Sequence, residues 1–379
     1  MNKSLFALAL GTFSLGMTEY VMMGILPDVA RDMSISIPLA GNLISMYAIG
    51  VCVGAFSLIF MYKYRPKHIL YLLTSIIFVG ALIASVTPSY WLLLCARFLE
   101  GTPHGAYFGV GSIIAVKLAQ EGKGPSAVSL MCAGMTVANL MGVPCATFLS
   151  THFSWRIAFA IAACCGAATL WCIHRWIPNI EALPNNGIKA QFHFLKNLDP
   201  WLIILATMFC NAGVFCWYSY ISPLLQNVSG FTAYEVSMLM IVAGVGMVLG
   251  NLASGKMAEK RPAGKVAFAF QLLAAVGLLL IFFGAQWALL SVIMMFIVCA
   301  CLFAVSAPQQ FLIIKHAPGG EMLGGCCIQA AFNLGNAVGA AIGGIPVTLG
   351  LTYNYTALIG VPFCALGAVC LYFFHKRYE

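Results

Sequence analysis

Long runs of apolar residues, separated by short polar segments, make up almost all of this 379-residue chain. A helix needs roughly 20 apolar residues to cross the hydrocarbon layer of a bilayer, and this rule predicts twelve membrane-spanning helices. They cover residues 4–27, 38–61, 68–87, 90–117, 126–149, 155–177, 200–225, 233–257, 265–284, 286–314, 321–348 and 354–375. The first run carries Glu19 and is longer than the apolar region of a signal peptide, so we expect a retained helix.

A polar stretch from Pro178 to Pro200 interrupts this pattern after the sixth predicted helix. It predicts a six-helix bundle over residues 1–177, a cytoplasmic linker over 178–199 with a short amphipathic piece at 188–198, and a second six-helix bundle over 200–379. The halves look like repeats, because several residues match at an offset of 196: Pro27 with Pro223, Gly50 with Gly246, Gly54 with Gly250, and Arg65 with Arg261. Two parallel six-helix halves can provide alternating access to a cavity at the bilayer midplane.

Composition and charge agree with a membrane protein. The chain is 61% apolar and 8% charged, whereas a soluble domain has about 25% charged residues, so the predicted fold class is an all-α membrane protein. With a cytoplasmic N-terminus, sixteen Lys and Arg residues lie in cytoplasmic segments and two, Arg31 and Arg156, lie in outer loops, which predicts that both termini are cytoplasmic. These basic residues are scattered at helix ends, so the net charge of +8 does not indicate nucleic-acid binding. Nearly all of the 15 cysteines lie in apolar runs and are predicted to be packing residues.

Ionisable side chains inside the apolar runs are the strongest functional signal. Arg97, Glu100 and His104 lie at i, i+3 and i+7 of the fourth predicted helix, on one face. Such residues are costly in a membrane and mark a bundle interior or a water-filled path. Glu19 and Arg97 each lie eight residues from the outer end of their helix, about 12 Å deep at 1.5 Å per residue. They could form a static ion pair, or a proton-loading carboxylate tuned by an arginine.

Four residues are therefore predicted to take part in proton coupling: Glu19, Arg97, Glu100 and His104. Glu19 is the predicted titrating carboxylate, and Glu100 is the alternative direct partner of Arg97. Glu100 and His104 could form a proton relay, or a local hydrogen-bonded pair beside Pro103.

Away from their ends, the predicted helices of the second half contain neutral polar residues and no charged side chain. Gln329, Asn333 and Asn336 form a polar stripe at i, i+4 and i+7 of the eleventh helix. Amides, tyrosines and tryptophan suit a sugar or another neutral solute, and the alternative is interhelical hydrogen bonding or an interfacial aromatic belt. The predicted substrate-binding residues are Tyr20, Asn42, Tyr47, Tyr107, Asn139, Asn211, Trp217, Tyr218, Gln309, Gln329, Asn333 and Asn336.

A further set of residues is predicted to serve close packing or gating rather than solute binding. Glycines spaced four residues apart let helices approach closely, and tight sliding contacts suit rigid-body motion. The set consists of Gly50, Gly54, Arg65, Gly134, Gly142, Pro144, Gly246, Gly250 and Arg261.

Three segments resemble motifs of the major facilitator superfamily: residues 16–28 around Glu19, residues 96–106 around Arg97, and residues 135–144, which end at Pro144. Within that family the chain looks most like the drug:proton antiporter and sugar-efflux branch, and in particular like bacterial arabinose-efflux-type permeases. The loop at 62–68 keeps the basic residues of the family's motif and lacks its aspartate. The resemblance covers nearly the whole chain and implies a monomeric transporter of the bacterial cytoplasmic membrane.

The resemblance implies export of a small organic solute, sugar or drug-like, by proton antiport with alternating access. Export over import rests on the segment at 135–144, which resembles a motif of exporters. The alternatives are an uptake symporter or facilitator of a sugar- or nucleoside-like solute and, more remotely, a membrane receptor or an intramembrane enzyme. The sequence contains no nucleotide-binding motif, metal-ligand spacing or catalytic triad, so we expect no cofactor, no metal and no enzymatic activity. The expected partners are the solute, protons and the lipid bilayer.

Overall fold

The computed structural model describes residues 3–35, 37–61, 63–181 and 191–379. The helices of its first part are α1 (Lys3–Asp32), α2 (Ile37–Met61), α3 (Pro66–Val86), α4 (Tyr90–Gly101), α5 (Pro103–Leu118), α6 (Gly124–Val137), α7 (Val143–His152) and α8 (Arg156–Trp176). The later helices are α9 (Leu198–Tyr218), α10 (Ile221–Asn227), α11 (Ala233–Lys260), α12 (Ala263–Gly284), α13 (Ala288–Ala304), α14 (Ser306–His316), α15 (Glu321–Thr348) and α16 (Tyr355–Tyr378). Since the described residues contain no strand, the predicted all-α class is confirmed.

Helical residues occupy each of the twelve predicted spans. Within the described ranges, nine helical segments are long and apolar enough to cross a membrane by length and composition. The number of membrane crossings and the location of the termini stay predictions.

Four of the predicted spans are divided into consecutive helical pieces rather than single helices. The fourth divides at Thr102, the fifth at a π-helical turn (Ala138–Gly142), the seventh at Ser219–Tyr220 and the tenth at Val305. Pro103 begins α5 directly after the first of these breaks. Proline lacks a backbone donor and its ring clashes with the preceding turn, so it kinks or ends a helix.

The predicted linker at 178–199 lies partly outside the described residues, which omit 182–190. Its described end contains a 3₁₀ turn (His193–Lys196), and α9 then begins at Leu198. The helices group into two compact units, one made of Met1–Phe194 and Ala317–Ala330, the other of Leu195–His316 and Ala331–Glu379. The first part of α15 therefore belongs with the N-terminal helices, and the predicted domain boundaries stay a prediction.

In the first unit, α1 packs on α6 and α8, α3 packs on α8, and α2 packs on α4. A buried apolar cluster that includes Met22, Leu43 and Phe159 joins α1, α2, α3, α4 and α8. At one end of the unit, Asp32 accepts hydrogen bonds from Trp155 Nε1 (3.0 Å) and from Arg156 Nη1 (2.7 Å). These two bonds, with that of Trp155 the larger effect, hold the pKa of Asp32 below its usual value.

In the second unit the helices pair in the same order. Helix α9 packs on α16, α12 packs on α16, and α11 packs on α13. By position in the chain these pairs correspond to α1 with α8, α3 with α8, and α2 with α4 in the first unit. The same pairing in both units supports the internal repeat that the matched residues predicted.

Glycines make close contacts between helices at the predicted positions. A Cβ atom at Gly50 or Gly54 would meet the backbone carbonyl of Phe98 or Thr102, and one at Gly250 would meet that of Ala300. The same holds for Gly134 against the Ala9 carbonyl, for Gly142 against Met17 Sδ and for Gly246 against the Phe296 carbonyl. Of the other residues in that set, Arg65 directly precedes α3, Pro144 lies in the first turn of α7, and Arg261 directly follows α11. A role of these residues in gating stays a prediction.

Candidate functional site

Arg97 on α4 is fully buried and holds three helices together. Its Nη1 donates to the Thr18 carbonyl on α1 (2.6 Å) and to Glu100 Oε2 on α4 (2.5 Å), and its Nε donates to the Leu43 carbonyl on α2 (3.3 Å). The guanidinium also lies over the ring of Tyr47, with Cζ 4.6 Å from the ring centroid. A planar fork of donors can satisfy several acceptors at once, so one side chain fixes α1, α2 and α4.

His104 on α5 lies beside this arginine and is buried among polar and aromatic groups. Its Nδ1 is 2.9 Å from the Tyr47 hydroxyl and 3.8 Å from Glu19 Oε2 on α1. The His104 ring stacks on Phe108, with centroids 5.4 Å apart, and it also interacts with the side chain of Gln329. Side chains from α1, α2, α5 and α15 therefore meet at one imidazole.

The two buried glutamates differ in how their oxygens are satisfied. Glu100 is fully buried and uses Oε2 for Arg97, whereas its Oε1 has no hydrogen-bond partner among the described residues. Glu19 is 8% exposed, and its Oε2 likewise has no hydrogen-bond partner within the described ranges. Burying a carboxylate without a partner is costly, and such a group tends to bind a proton instead. Glu19 therefore lacks the direct ion pair that Glu100 has.

Local sequence explains how these groups reach one another. Gly101 lies against the backbone carbonyl of Tyr47, and Gly80 lies against the Glu100 side chain, so small residues make room on both sides of α4. The break at Thr102 is mild, because this residue keeps right-handed helical angles and its amide bonds to the carbonyls of Phe98 and Leu99. Helix α5 therefore follows α4 without a loop between them.

The geometry corrects part of the predicted pairing. Arg97 forms its direct ion pair with Glu100, which is the alternative that the sequence left open, and not with Glu19. His104 bonds to Tyr47 and approaches Glu19, and among the described residues Glu100 has its hydrogen bond with Arg97 rather than with His104. A residue three positions along a helix is a close neighbour of Arg97, so the local pair forms and Glu19 is left to His104. The proposed roles of all four residues in proton coupling stay predictions.

The other predicted substrate-binding residues of the first unit do not share this cluster. Tyr20 is buried with its hydroxyl 4.0 Å from Met135 Sδ, and Tyr107 is buried with its hydroxyl donating to the Leu8 carbonyl (3.4 Å). Asn42 is exposed on α2, and Asn139 is partly buried in the π-helical turn. Tyr47 and Gln329 are the predicted substrate residues that join the site around His104.

The second unit contains a separate group of buried polar side chains. Thr207 donates its hydroxyl to Gln309 Oε1 (3.0 Å), and Asn211 Nδ2 donates to the Thr207 carbonyl (2.8 Å). Among the described residues, Asn211 Oδ1, Gln309 Nε2, Asn336 Oδ1 and Trp217 Nε1 have no hydrogen-bond partner. Tyr218 and Asn333 are partly buried, and the Tyr218 ring lies 6.2 Å from that of Trp217.

Three members of these groups were missed by sequence reasoning. Thr207 had a usable signal, since it precedes Asn211 by one helical turn in an apolar helix. The Thr18 and Leu43 carbonyls had none, because any residue presents a carbonyl and the helix fold alone decides which one faces Arg97. Within the described residues, no group of three or more His, Cys, Asp or Glu side chains could hold a metal ion.

Comparisons with known proteins agree with the fold and the motifs. Residues 8–324 match the family model described as Major Facilitator Superfamily. Over 382 residues the chain is 44% identical to "Putative transporter AraJ" of Escherichia coli (strain K12), covering 100% of this chain and 97% of that protein. It is 35% identical over 379 residues to "Inner membrane transport protein YdhP" of the same strain, with 100% and 97% coverage.

A solved structure of a transporter, FucP in the outward conformation, covers 98% of both chains with a TM-score of 0.78 at 15% identity, a likeness of fold. The family match spans most of the chain, and the relatives align along its full length. The predicted family is therefore confirmed, and the chain belongs to the Major Facilitator Superfamily.

Proposed function

We propose that this chain is a secondary active transporter of the bacterial inner membrane that exports a small organic solute in exchange for protons. Family membership and relatives that are named as transporters support transport, and the name of YdhP supports the inner membrane. Two repeated helical units are the architecture in which alternating access is achieved without a nucleotide. The exporter-like segment that ends at Pro144 supports the outward direction.

The observation that best supports proton coupling is the environment of the Glu19 carboxyl. Its Oε2 is buried, has no hydrogen-bond partner among the described residues, and lies 3.8 Å from Nδ1 of His104. A carboxyl in that position exchanges protons readily when water reaches it, because neither of its forms is locked in place by a strong partner. Glu19 is the coupling group in this proposal.

Arg97 acts on Glu19 without touching its carboxyl. The guanidinium bonds to the Glu100 carboxylate and to the carbonyl of Thr18, the residue that precedes Glu19 in the chain. Arg97 thus fixes the backbone that carries Glu19 and supplies a nearby positive charge. That charge stabilises the ionised form of Glu19 when the proton leaves.

The solute would be neutral and rich in hydroxyl groups. The buried polar set of the second unit, built around Thr207, Asn211 and Gln309, has amide donors and acceptors that lack partners in the described part of the chain. No charged side chain accompanies these residues in their helices within the membrane. Hydroxyl groups both donate and accept, so they would satisfy the free amide atoms.

A screen can identify the solute before any transport assay. Purified protein in detergent is heated with sugars, nucleosides and antibiotics, since a ligand that binds the folded form alone raises the melting temperature. The compound with the largest shift becomes the transport probe. If the compound raises the melting temperature of Gln309→Ala as much as that of the wild type, Gln309 does not bind the solute.

Proton coupling is tested with that probe in proteoliposomes carrying an imposed pH gradient. We expect Glu19→Gln to abolish transport driven by the gradient, because the amide cannot exchange a proton, while exchange of solute across equal pH continues. Glu121→Gln is the matched control, since Glu121 is exposed in the loop between α5 and α6. Undiminished gradient-driven transport by the Glu19 variant would falsify the assignment. Movement of solute in the same direction as protons would indicate an uptake symporter.

A further inference from the structure

We propose that Tyr47 controls proton exchange between Glu19 and His104 by occupying the ring nitrogen to which Glu19 would pass its proton. The inference rests on the proposed coupling through Glu19 and gives Tyr47 a positioning role, whereas its sequence suggested only a solute contact.

One nitrogen faces two oxygens in this site. Nδ1 of His104 lies 2.9 Å from the Tyr47 hydroxyl and 3.8 Å from Glu19 Oε2. The first distance is that of a hydrogen bond, and the second is roughly 1 Å longer than one. An imidazole nitrogen carries either one lone pair or one proton, so it serves one partner at a time. The Tyr47 hydroxyl occupies Nδ1, and Oε2 of Glu19, which it keeps from that nitrogen, is the atom that lacks a hydrogen bond within the described residues.

We assign the Tyr47 hydroxyl as the donor in this bond, and the direction of the bond decides where a neutral His104 carries its proton. With the phenol hydroxyl donating to Nδ1, the ring proton resides on Nε2. The ring is held in this orientation by stacking on Phe108 and by an edge-on contact with the Tyr47 ring, 6.0 Å between centroids. The Gln329 side chain, which also interacts with the ring, has an amide oxygen that can accept from a ring N–H.

Tyr47 is itself held in place by the arginine. The ring is 3% exposed, and Arg97 Cζ lies 4.6 Å above it, an arrangement favoured by the negative face of an aromatic ring. The titratable and charged groups around His104 are Glu19 from α1, Tyr47 from α2, and Arg97 and Glu100 from α4, with neutral Gln329 from α15. Of these, Glu19 and Tyr47 approach Nδ1.

The step that Tyr47 controls is a simple proton transfer. Glu19 takes a proton from the aqueous side to which it is open. When the Tyr47 hydroxyl leaves Nδ1, the Oε2–H bond of Glu19 breaks and an Nδ1–H bond forms on His104, leaving a carboxylate beside an imidazolium. For a proton to pass, the imidazolium releases its Nε2 proton to water on the opposite side, Glu19 takes another proton from the first side, and exchange with water returns the ring proton to Nε2. While the Tyr47 bond persists the transfer is blocked, so protons do not pass in the absence of the helix movement that separates Tyr47 from His104.

The test measures proton leak, which needs no solute. Full-length protein is reconstituted into liposomes that contain a pH-sensitive dye, and a pH gradient is imposed. Tyr47→Phe removes the hydroxyl and keeps the ring under Arg97. We expect the leak to rise about fivefold, the effect of losing one hydrogen bond. Tyr90→Phe is the matched control, because Tyr90 also donates its hydroxyl to α2, at the Leu39 carbonyl (3.0 Å), far along the chain from His104; its leak should equal that of the wild type.

A second variant separates proton control from loosened packing. In Tyr47→Phe combined with His104→Gln the acceptor nitrogen is gone, so the leak should return to the wild-type level. A leak that stays high in the double variant indicates damaged packing and overturns the proposal, as does an unchanged leak in Tyr47→Phe. In the wild type, nitrogen NMR of labelled histidine should find the His104 proton on Nε2, and a proton on Nδ1 at neutral ring charge overturns the proposal whether or not any variant folds.

The two proposals fail in distinguishable ways. If Glu19→Gln keeps gradient-driven transport, the coupling through Glu19 fails and the role of Tyr47 fails with it. If Glu19→Gln loses that transport and Tyr47→Phe leaks no more than the wild type, the role of Tyr47 alone is wrong.

Discussion

Arg97 shows how one buried charge can connect several helices of a membrane protein. The free-energy cost of burying its charge in a low-dielectric interior is offset by the Glu100 carboxylate and by two backbone carbonyls, those of Thr18 and Leu43. The two carbonyls lie on α1 and α2, so these bonds add polar contacts to the apolar and glycine packing between the helices. The same guanidinium covers the Tyr47 ring, so its placement is transmitted to His104.

Loss of the arginine should therefore destabilise the protein strongly. We expect Arg97→Met to reduce the free energy of unfolding by about 3–5 kcal/mol, because Glu100 is left buried without its partner. The double variant Arg97→Met with Glu100→Met should regain most of that loss, since two apolar side chains replace a charged pair. Unfolding in detergent, followed by circular dichroism, gives the measurement. A single variant as stable as the wild type would show that Arg97 does not hold these helices together.

Glycine contacts decide how the helices pair. Gly54 on α2 lies against the Thr102 carbonyl, and Gly250 on α11 lies against the Ala300 carbonyl at the matched position of the second unit. Backbone-to-backbone approach of this kind leaves no space for a methyl group. In α15 the same pattern extends over three turns, with Gly335, Gly339 and Gly343 against the carbonyls of Met208, Ala212 and Cys216 on α9.

Two glycines of a single helix test this reasoning. We expect Gly54→Ala to lower the free energy of unfolding by about 1–3 kcal/mol, because the added Cβ would overpack against the Thr102 carbonyl. Gly41, on the same helix, has no atom within 4 Å of a built Cβ, so Gly41→Ala should stabilise the protein by about 0.5–1 kcal/mol through helix propensity. Thermal unfolding of both variants in detergent compares them, and equal melting temperatures would argue against the contact.

At the scale of the whole molecule, the sequence predicted where the helices lie, but it did not predict most of the side-chain contacts between them. Runs of apolar residues mark helices because the bilayer requires them, and Pro103 signals the break that follows Thr102. The ion pair of Arg97 with Glu100 was also predictable as an alternative, since both residues lie on one helix three positions apart. Tyr47 and His104 lie 57 positions apart, and their contact depends on how α2 packs against α5, which helix periodicity does not determine.

The orientation of the chain gives a prediction for the molecule as a whole. Sixteen basic residues on one side against two on the other predict cytoplasmic termini, and an even number of crossings brings the chain back to the side on which it began. Green fluorescent protein fused after Glu379 should therefore fluoresce, because it folds in the cytoplasm and fails to mature after export in unfolded form. Alkaline phosphatase joined after Phe153, between α7 and α8, should be active, because five crossings place that loop outside and the enzyme needs external disulfides. If the fusion after Phe153 is also active, phosphatase activity after Glu379 would mean that the seven predicted spans between these positions do not all cross, and one of them would then have to lie within the membrane without traversing it.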